Sequence, residues 1–143
     1  MIEIRQLTPE DLDGLLKLLE QLWPGKSIDA NAVRKVIGKG LGNDSQIYMC
    51  ATDNKKLAGY CSLTIKNSLW MQANLGNIDE LVVDGEYRNR GIGKLLMNEM
   101  EAIAKNRGCK QLELDSAFHR TNAHAFYEKQ GFEKRAWLFT KEI

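Results

Sequence analysis

Long apolar runs are missing from this sequence of 143 residues, so no segment is expected to cross a membrane. The opening Met1-Ile2-Glu3-Ile4-Arg5 also lacks the apolar stretch of a signal peptide. An excess of one charge is missing too: 20 basic side chains stand against 19 acidic ones, for a net charge of +1. No global field then draws the chain to nucleic acid or to a membrane surface, and any anion it binds must be held by a local arrangement. Cysteine is sparse, and Cys50, Cys61 and Cys109 form no C-x-x-C pair. A secreted disulfide scaffold would carry more of them, and zinc would need closer partners than His119 and His124 offer. The expectation is three reduced core thiols, no metal and a cytoplasmic protein. Proline occurs twice, with no repeat, low-complexity tract or linker, so residues 1–143 are read as one domain with material for one hydrophobic core.

What is present is a regular alternation of element signals. Ile2 to Leu7 alternates apolar and polar residues and predicts a first strand. Thr8-Pro9-Glu10-Asp11 then opens a helix with a good N-cap, a proline suited to the first turn and two acids at the positive end. Leu12, Leu15, Leu16, Leu19 and Leu22 repeat at helical spacing up to Pro24-Gly25. A second helix is predicted over Ile28 to Ile37, fading into the glycine-rich stretch Gly38 to Asn43. Two strands, about Gln46 to Thr52 and Leu57 to Lys66, flank Asp53-Asn54-Lys55, a polar triplet with hairpin chemistry. A third runs from about Leu75 to Val83.

After a loop from Asp84 to Arg90, a helix is predicted from Gly91 to about Asn106. Its stripe is Ile92, Leu95, Leu96, Met100, Ile103 and Ala104, and Gly108 falls where a C-cap glycine belongs. Lys110 to Asp115 reads as a strand, Ala123 to Gln130 as a short helix stopped by Gly131, and Phe132 to Lys141 as closing strands. The order β-α-α-β-β-β-α-β-α-β defines an α/β (α+β) fold around one mixed sheet.

The most informative stretch runs from Leu81 to Lys94: a strand, a loop with two arginines, then glycines at a helix start. Free N–H groups there point outward, and the helix dipole adds positive potential. Gly91 and Gly93 let backbone touch an anion, while Arg88, Arg90 and Lys94 supply charge. The pattern suits a pyrophosphate. It is neither a Walker loop nor the G-x-G-x-x-G of a dinucleotide fold, which would need glycine at Leu96. Spacing alone also admits a tight strand-to-helix turn with solvated arginines.

Arg88-Asn89-Arg90-Gly91-Ile92-Gly93 resembles the Q/R-x-x-G-x-G/A motif of the GNAT N-acetyltransferase superfamily. Ala123 to Phe132 resembles that family's A-x-x-x-Y-x-x-x-G-F segment, and the element order agrees over essentially the whole chain. The resemblance implies a single-domain GNAT fold, a mixed sheet whose splayed strand pair admits the pantetheine arm of acetyl-CoA. It assigns the cofactor to Leu81, Val82, Val83, Arg88, Asn89, Arg90, Gly91, Ile92, Gly93 and Lys94, with a backbone N–H near Val83 or Leu81 polarising the thioester carbonyl. Tyr127 matches the residue that protonates the departing thiolate, although a tyrosine packed into the core beside Phe126 would look the same. Many relatives carry asparagine where this chain has Arg120, so no asparagine contact is carried over.

Attack by the amine itself is implied, in a ternary complex without a covalent intermediate, and no Cys or Ser nucleophile pattern argues otherwise. An alkyl ammonium must first lose a proton. Asp79, Glu80 and Asp115 are the candidates to assist, and strand alternation puts Asp79 and Glu80 on opposite faces unless a bulge intervenes. Gln21-Leu22-Trp23-Pro24-Gly25, with Asp79 and Asp115, resembles the acceptor side of aminoglycoside 6′-N-acetyltransferases, where an indole and acids cradle a polycationic sugar. Trp23 is equally a hydrophobic cap on its helix. The acceptor is thus left open among an aminoglycoside, another small polyamine, an amino acid and a protein amine. A non-catalytic acyl-CoA sensor is the alternative class. Nucleic-acid binding is disfavoured because Glu86, Glu99 and Glu101 interrupt the basic patch. A homodimer, with Ala136 to Phe139 at its interface, is compatible with the resemblance.

Overall fold

Five strands build one sheet in the order β1-β2-β3-β4-β5: β1 Ile2–Gln6, β2 Gln46–Asp53, β3 Lys56–Ser68, β4 Ala73–Val83 and β5 Cys109–Glu113. The first three pairings are antiparallel and the last is parallel, so the sheet is mixed. These positions come from a computed structural model that describes all residues from Met1 to Ile143. The β2–β3 turn is set by Asn54 and Lys55, both left-handed at φ 47° and 73°. Two such residues make the tight hairpin turn whose twist matches the flanking strands.

Four helices cover the sheet: α1 Leu12–Leu22, α2 Ala30–Leu41, α3 Ile92–Asn106 and α4 Thr121–Lys129. Strand alternation sorts side chains between two layers. Cys50, Tyr60 and Val82 face α1 and α2, where Leu12, Leu15, Leu18, Leu19 and Leu22 are buried with Ile37. On the other face Met49, Cys61, Leu63 and Ile78 meet Ile92, Leu96, Met97 and Met100 of α3. Burying a leucine of this kind contributes roughly 1.5–3 kcal/mol relative to leaving it exposed. No helix is long and apolar enough to cross a membrane. All three cysteines are free thiols, with Cys50 and Cys61 buried and Cys109 half-buried.

Three local features depart from the expected pattern. Pro9–Asp11 forms a 3-10 turn ahead of α1. Further along, α2 continues through Gly38 and Gly40 to Leu41. Packing explains Gly40: a Cβ there would overlap the Tyr48 hydroxyl, so the glycine serves close approach to β2. The closing strands expected over Phe132 to Lys141 do not form, and Glu133 to Ile143 is irregular and exposed. A lone strand has no stability without a neighbour to pair with. Here Lys134 is held by Glu128 at 3.4 Å and Trp137 lies against Phe118, ring centroids 5.2 Å apart, so the tail crosses the segment after β5.

The start of α1 is locked by one ion pair. Arg5 on β1 donates to both carboxylate oxygens of Asp11 at 2.7 and 2.8 Å, and the same carboxylate accepts the Thr8 N–H at 2.8 Å. Asp11 is 8% exposed, and the Arg5 hydrogen bond holds its carboxyl down at about 2. A depressed carboxyl stabilises the fold above the ordinary carboxylate range and loses that contribution as pH falls through its folded value. Asp11→Asn should therefore lower unfolding stability at neutral pH by roughly 2–3 kcal/mol, discounted because Arg5 is partly exposed. Denaturant titrations of both proteins should converge as pH is lowered from about 4 towards 2.

Candidate active site at a split in the sheet

The parallel pairing of β4 with β5 runs through Asn74↔Cys109, Gly76↔Leu112 and Asn77↔Glu113 and goes no further. β4 itself continues to Val83, paired only with β3. From Ile78 to Val83 the edge towards β5 is therefore open. The Asp84 N–H donates to the Ala58 carbonyl of β3 at 2.8 Å. Successive N–H groups point to alternate edges, so those of Val83 and Leu81 face the split. Val82 turns its side chain into the α1–α2 layer, and the same alternation turns its N–H towards β3 and away from the split.

Beyond Val83 the chain is pinned before it enters α3. Asp84 accepts hydrogen bonds from the Glu86 N–H at 2.9 Å and from Gln21 Nε2 at 3.2 Å. Gln21 Oε1 accepts the Gly85 N–H at 2.9 Å, which ties the last turn of α1 to this loop. Asn89 and Gly91 are both left-handed, at φ 63° and 78°, and no side chain caps α3. Its first N–H groups are then left for an external acceptor. Ile92 is buried in the core, so only its backbone can contribute.

Three cations surround this helix start, and none is in an ion pair. Arg88 Nε donates to the Val83 carbonyl at 3.4 Å, the Arg90 guanidinium lies 5.0 Å from the Tyr87 ring centroid, and Lys94 is exposed. Tyr87 is itself fixed by its hydroxyl, which donates to Asp53 at 3.0 Å. A Cβ on Gly91 would meet nothing within 4 Å, whereas one on Gly93 would lie 3.3 Å from Phe126 of α4. An uncapped helix start, a bare Cβ position and unpaired cations fit a pyrophosphate, and the split fits an extended arm.

The carboxylates are arranged by a bulge. Ser62 pairs with Glu80 while the next residue, Leu63, pairs with Ile78, which leaves Asp79 as an extra residue in β4. Glu80 consequently shares the face of Ser62 and Tyr60. Ser62 Oγ donates to Glu80 Oε1 at 2.6 Å and accepts the Glu80 N–H at 3.0 Å, and Tyr60 Oη approaches the same carboxylate oxygen at 3.4 Å. Burial pushes the Glu80 carboxyl up, partly offset by the Ser62 hydrogen bond. Asp79 is exposed and engaged locally, accepting from Thr64 Oγ1 at 2.5 Å and Asn77 Nδ2 at 2.7 Å.

The remaining predicted residues are dispersed. Asp115 is exposed just past β5. Trp23 is the C-cap of α1 and 38% exposed, with no hydrogen bond or ring contact to Asp79 or Asp115. Tyr127 is half-buried between Phe126 and Phe132, in edge-on ring contacts, and its hydroxyl has no hydrogen-bond partner in the protein. Burial raises its pKa, so it keeps its proton; Arg120, the N-cap residue of α4, opposes that shift. Ser62, Tyr60, Thr64 and Asn77 were not foreseen as site residues, and Gln21, quoted only within the acceptor-side stretch, was not expected to hold the loop after β4. Alternation along β3 places Tyr60, Ser62 and Thr64 on one face, but only the bulged register shows what they touch.

The chain belongs to the acetyltransferase (GNAT) family, whose model matches residues 12–132. It is 30% identical over 141 residues to the aminoalkylphosphonate N-acetyltransferase of Salmonella typhimurium, covering 99% of this chain and 91% of that protein. It is 23% identical over 135 residues to the aminoglycoside N(6′)-acetyltransferase type 1 of Stenotrophomonas maltophilia, covering 92% and 86%. The crystal structure of a Trypanosoma brucei acetyltransferase superposes over 100% of both chains with a TM-score of 0.83 at 25% identity. The chain is thus an N-acetyltransferase by family, and its relatives act on amines.

Proposed function

We propose that this protein transfers an acetyl group from acetyl-CoA to a small primary amine by direct attack within a ternary complex. The observation that carries the reading is the open edge of β4, with the uncapped start of α3 at its end and Glu80 along it. The uncapped N–H groups from Ile92 onward, with Arg88, Arg90 and Lys94, hold the pyrophosphate. The outward N–H groups of Val83 and Leu81 pair with the pantetheine arm and orient the thioester carbonyl. Acetyl-CoA supplies the activated acyl group.

Glu80 takes the proton from the acceptor ammonium, directly or through one water, its raised carboxyl being the better matched to that task. Tyr127 Oη, free of protein partners, donates a proton to the departing thiolate. Asp79 and Asp115 add negative potential that draws in a cationic acceptor, an aminoglycoside or another polyamine in the sharpest version of the reading. Trp23, exposed at the end of α1, offers an indole face to it.

Thiol release from acetyl-CoA against aminoglycosides, polyamines, aminoalkylphosphonates, amino acids and peptides tests this directly. Saturable turnover with one class identifies the acceptor; tight acetyl-CoA binding without turnover of any amine favours a sensing module. Tyr127→Phe should lower kcat by roughly 10²-fold with little change in acceptor KM, and full turnover in a chemistry-limited assay would remove it as the acid.

A further inference from the structure

By itself Tyr127 is a poor acid for a thiolate leaving group. An ordinary phenol loses its proton at about 10 and a cysteine-type thiol at about 8.5, so proton transfer between them runs uphill. Burial between Phe126 and Phe132 raises the Tyr127 pKa further, because a phenolate there has little solvent to hold its charge. No protein group donates a hydrogen bond to the phenol oxygen to offset this. The transfer therefore calls for a cation close by.

One cation stands on the right side of α4. Residues seven apart lie about two helical turns apart, so Arg120, at the N-cap, shares a helix face with Tyr127. Arg120, His124 and Tyr127 are half-buried on that face, whereas Asn122, Ala125 and Lys129 on the opposite one are exposed. The Arg120 guanidinium enters none of the ion pairs of the fold, so its charge is left for another partner. Its backbone is fixed all the same. The Arg120 N–H donates to the Ala117 carbonyl at 3.0 Å, and His124 Nε2, one turn on, donates to the same carbonyl at 2.9 Å. Of the charged groups around the phenol, Arg120 favours its ionisation, whereas Cys61 on β3 and Asp115 past β5 act against it.

We propose that Arg120 is a positioning residue for the acid: its guanidinium holds the negative charge that Tyr127 acquires on giving its proton to the departing thiolate. The inference rests on acetyl transfer with Tyr127 as the acid. As the acceptor nitrogen bonds to the carbonyl carbon, the C–S bond breaks and its electron pair goes to sulfur. The Tyr127 proton follows and leaves a free thiol. The acceptor ammonium sheds two protons over the whole reaction; one is released and the other, passed through solvent, restores the phenol. Arginine suits the role because it stays charged throughout the working pH range and gives up no proton itself.

The test uses the full chain with 3-fluorotyrosine at position 127, whose fluorine NMR signal reports phenol ionisation without turnover. Arg120→Gln should move that ionisation about one pH unit upward, and Arg120→Lys should leave it close to the original. In steady-state assays with the natural Tyr127, Arg120→Gln should lower kcat by about tenfold and leave the acetyl-CoA KM within about twofold. Arg120→Lys should recover most of that loss. In a Tyr127→Phe background the Arg120→Gln change should cost nothing more, since the residue it acts through is gone. An unshifted fluorine titration, an equal loss in the Tyr127→Phe background, or a loss confined to the acetyl-CoA KM overturns the inference. Full turnover by Tyr127→Phe removes the acid and with it the role of Arg120, while acetyl transfer stands. Failure of every amine to turn over removes the acetyl-transfer reading as well.

Discussion

Replacing Glu80 by glutamine should reduce kcat/KM for the acceptor by roughly 10³-fold at neutral pH, while acetyl-CoA affinity stays near its original value. Glutamine keeps the shape and can still accept from Ser62 Oγ, which lies 2.6 Å from Glu80 Oε1, but it cannot take up a proton. The pH profile separates this from a packing defect. Burial raises the Glu80 carboxyl, so the wild-type rate should rise with pH through a value above the ordinary carboxylate range. That limb should vanish in Glu80→Gln. In Ser62→Ala, which loses a bond favouring the ionised form, the limb should move to higher pH. A Glu80→Gln enzyme with unchanged rate and profile would shift the base to Asp79, Asp115 or solvent.

Gly91→Asp should weaken acetyl-CoA binding by roughly 10²-fold, from one like charge beside the pyrophosphate together with the loss of favourable helix-end potential. The position separates charge from fold. A Cβ there meets nothing within 4 Å, so the only structural cost is the left-handed φ of 78°, about 1–2 kcal/mol for a side-chain-bearing residue. Gly91→Ala carries that cost without the charge and is the control. Calorimetric titration should find Gly91→Ala within about tenfold of wild type and Gly91→Asp far weaker, with similar melting temperatures for both. Equal binding by all three proteins would refute the assignment of this loop to the cofactor.

What could be read from the sequence was whatever local chemistry enforces. Gly91 must be glycine for a left-handed cap, Leu12 to Leu22 must face a core, and Asn54-Lys55 must turn; each element formed as expected. The helix start could be read as an anion site because loop arginines and adjacent glycines are contiguous in the chain. What escaped was set by partners distant in sequence. Gly40 looked like a turn because nothing local reveals the Tyr48 ring against it. The Phe132–Lys141 strands were expected from alternation alone, but alternation cannot say whether an edge is within reach. Glu80 and Asp79 could be nominated yet not separated, since their roles depend on how β4 registers against Ser62 and Leu63.

That register gives β4 a parity. Had the strand run without its extra residue after Ile78↔Leu63, Asp79 would have stood opposite Ser62, and Glu80 opposite Cys61. Glu80 would then have entered the apolar layer under α3, where Cys61 is fully buried. One supernumerary residue thus decides which of two adjacent acids stands beside Ser62 and Tyr60, and it keeps a charge out of the apolar layer under α3. Deleting a single residue here would preserve composition and strand length almost unchanged while inverting every side chain from that point to Val83. Length variation in this strand is therefore a change of chemistry, whereas in the loops it is only a change of contour.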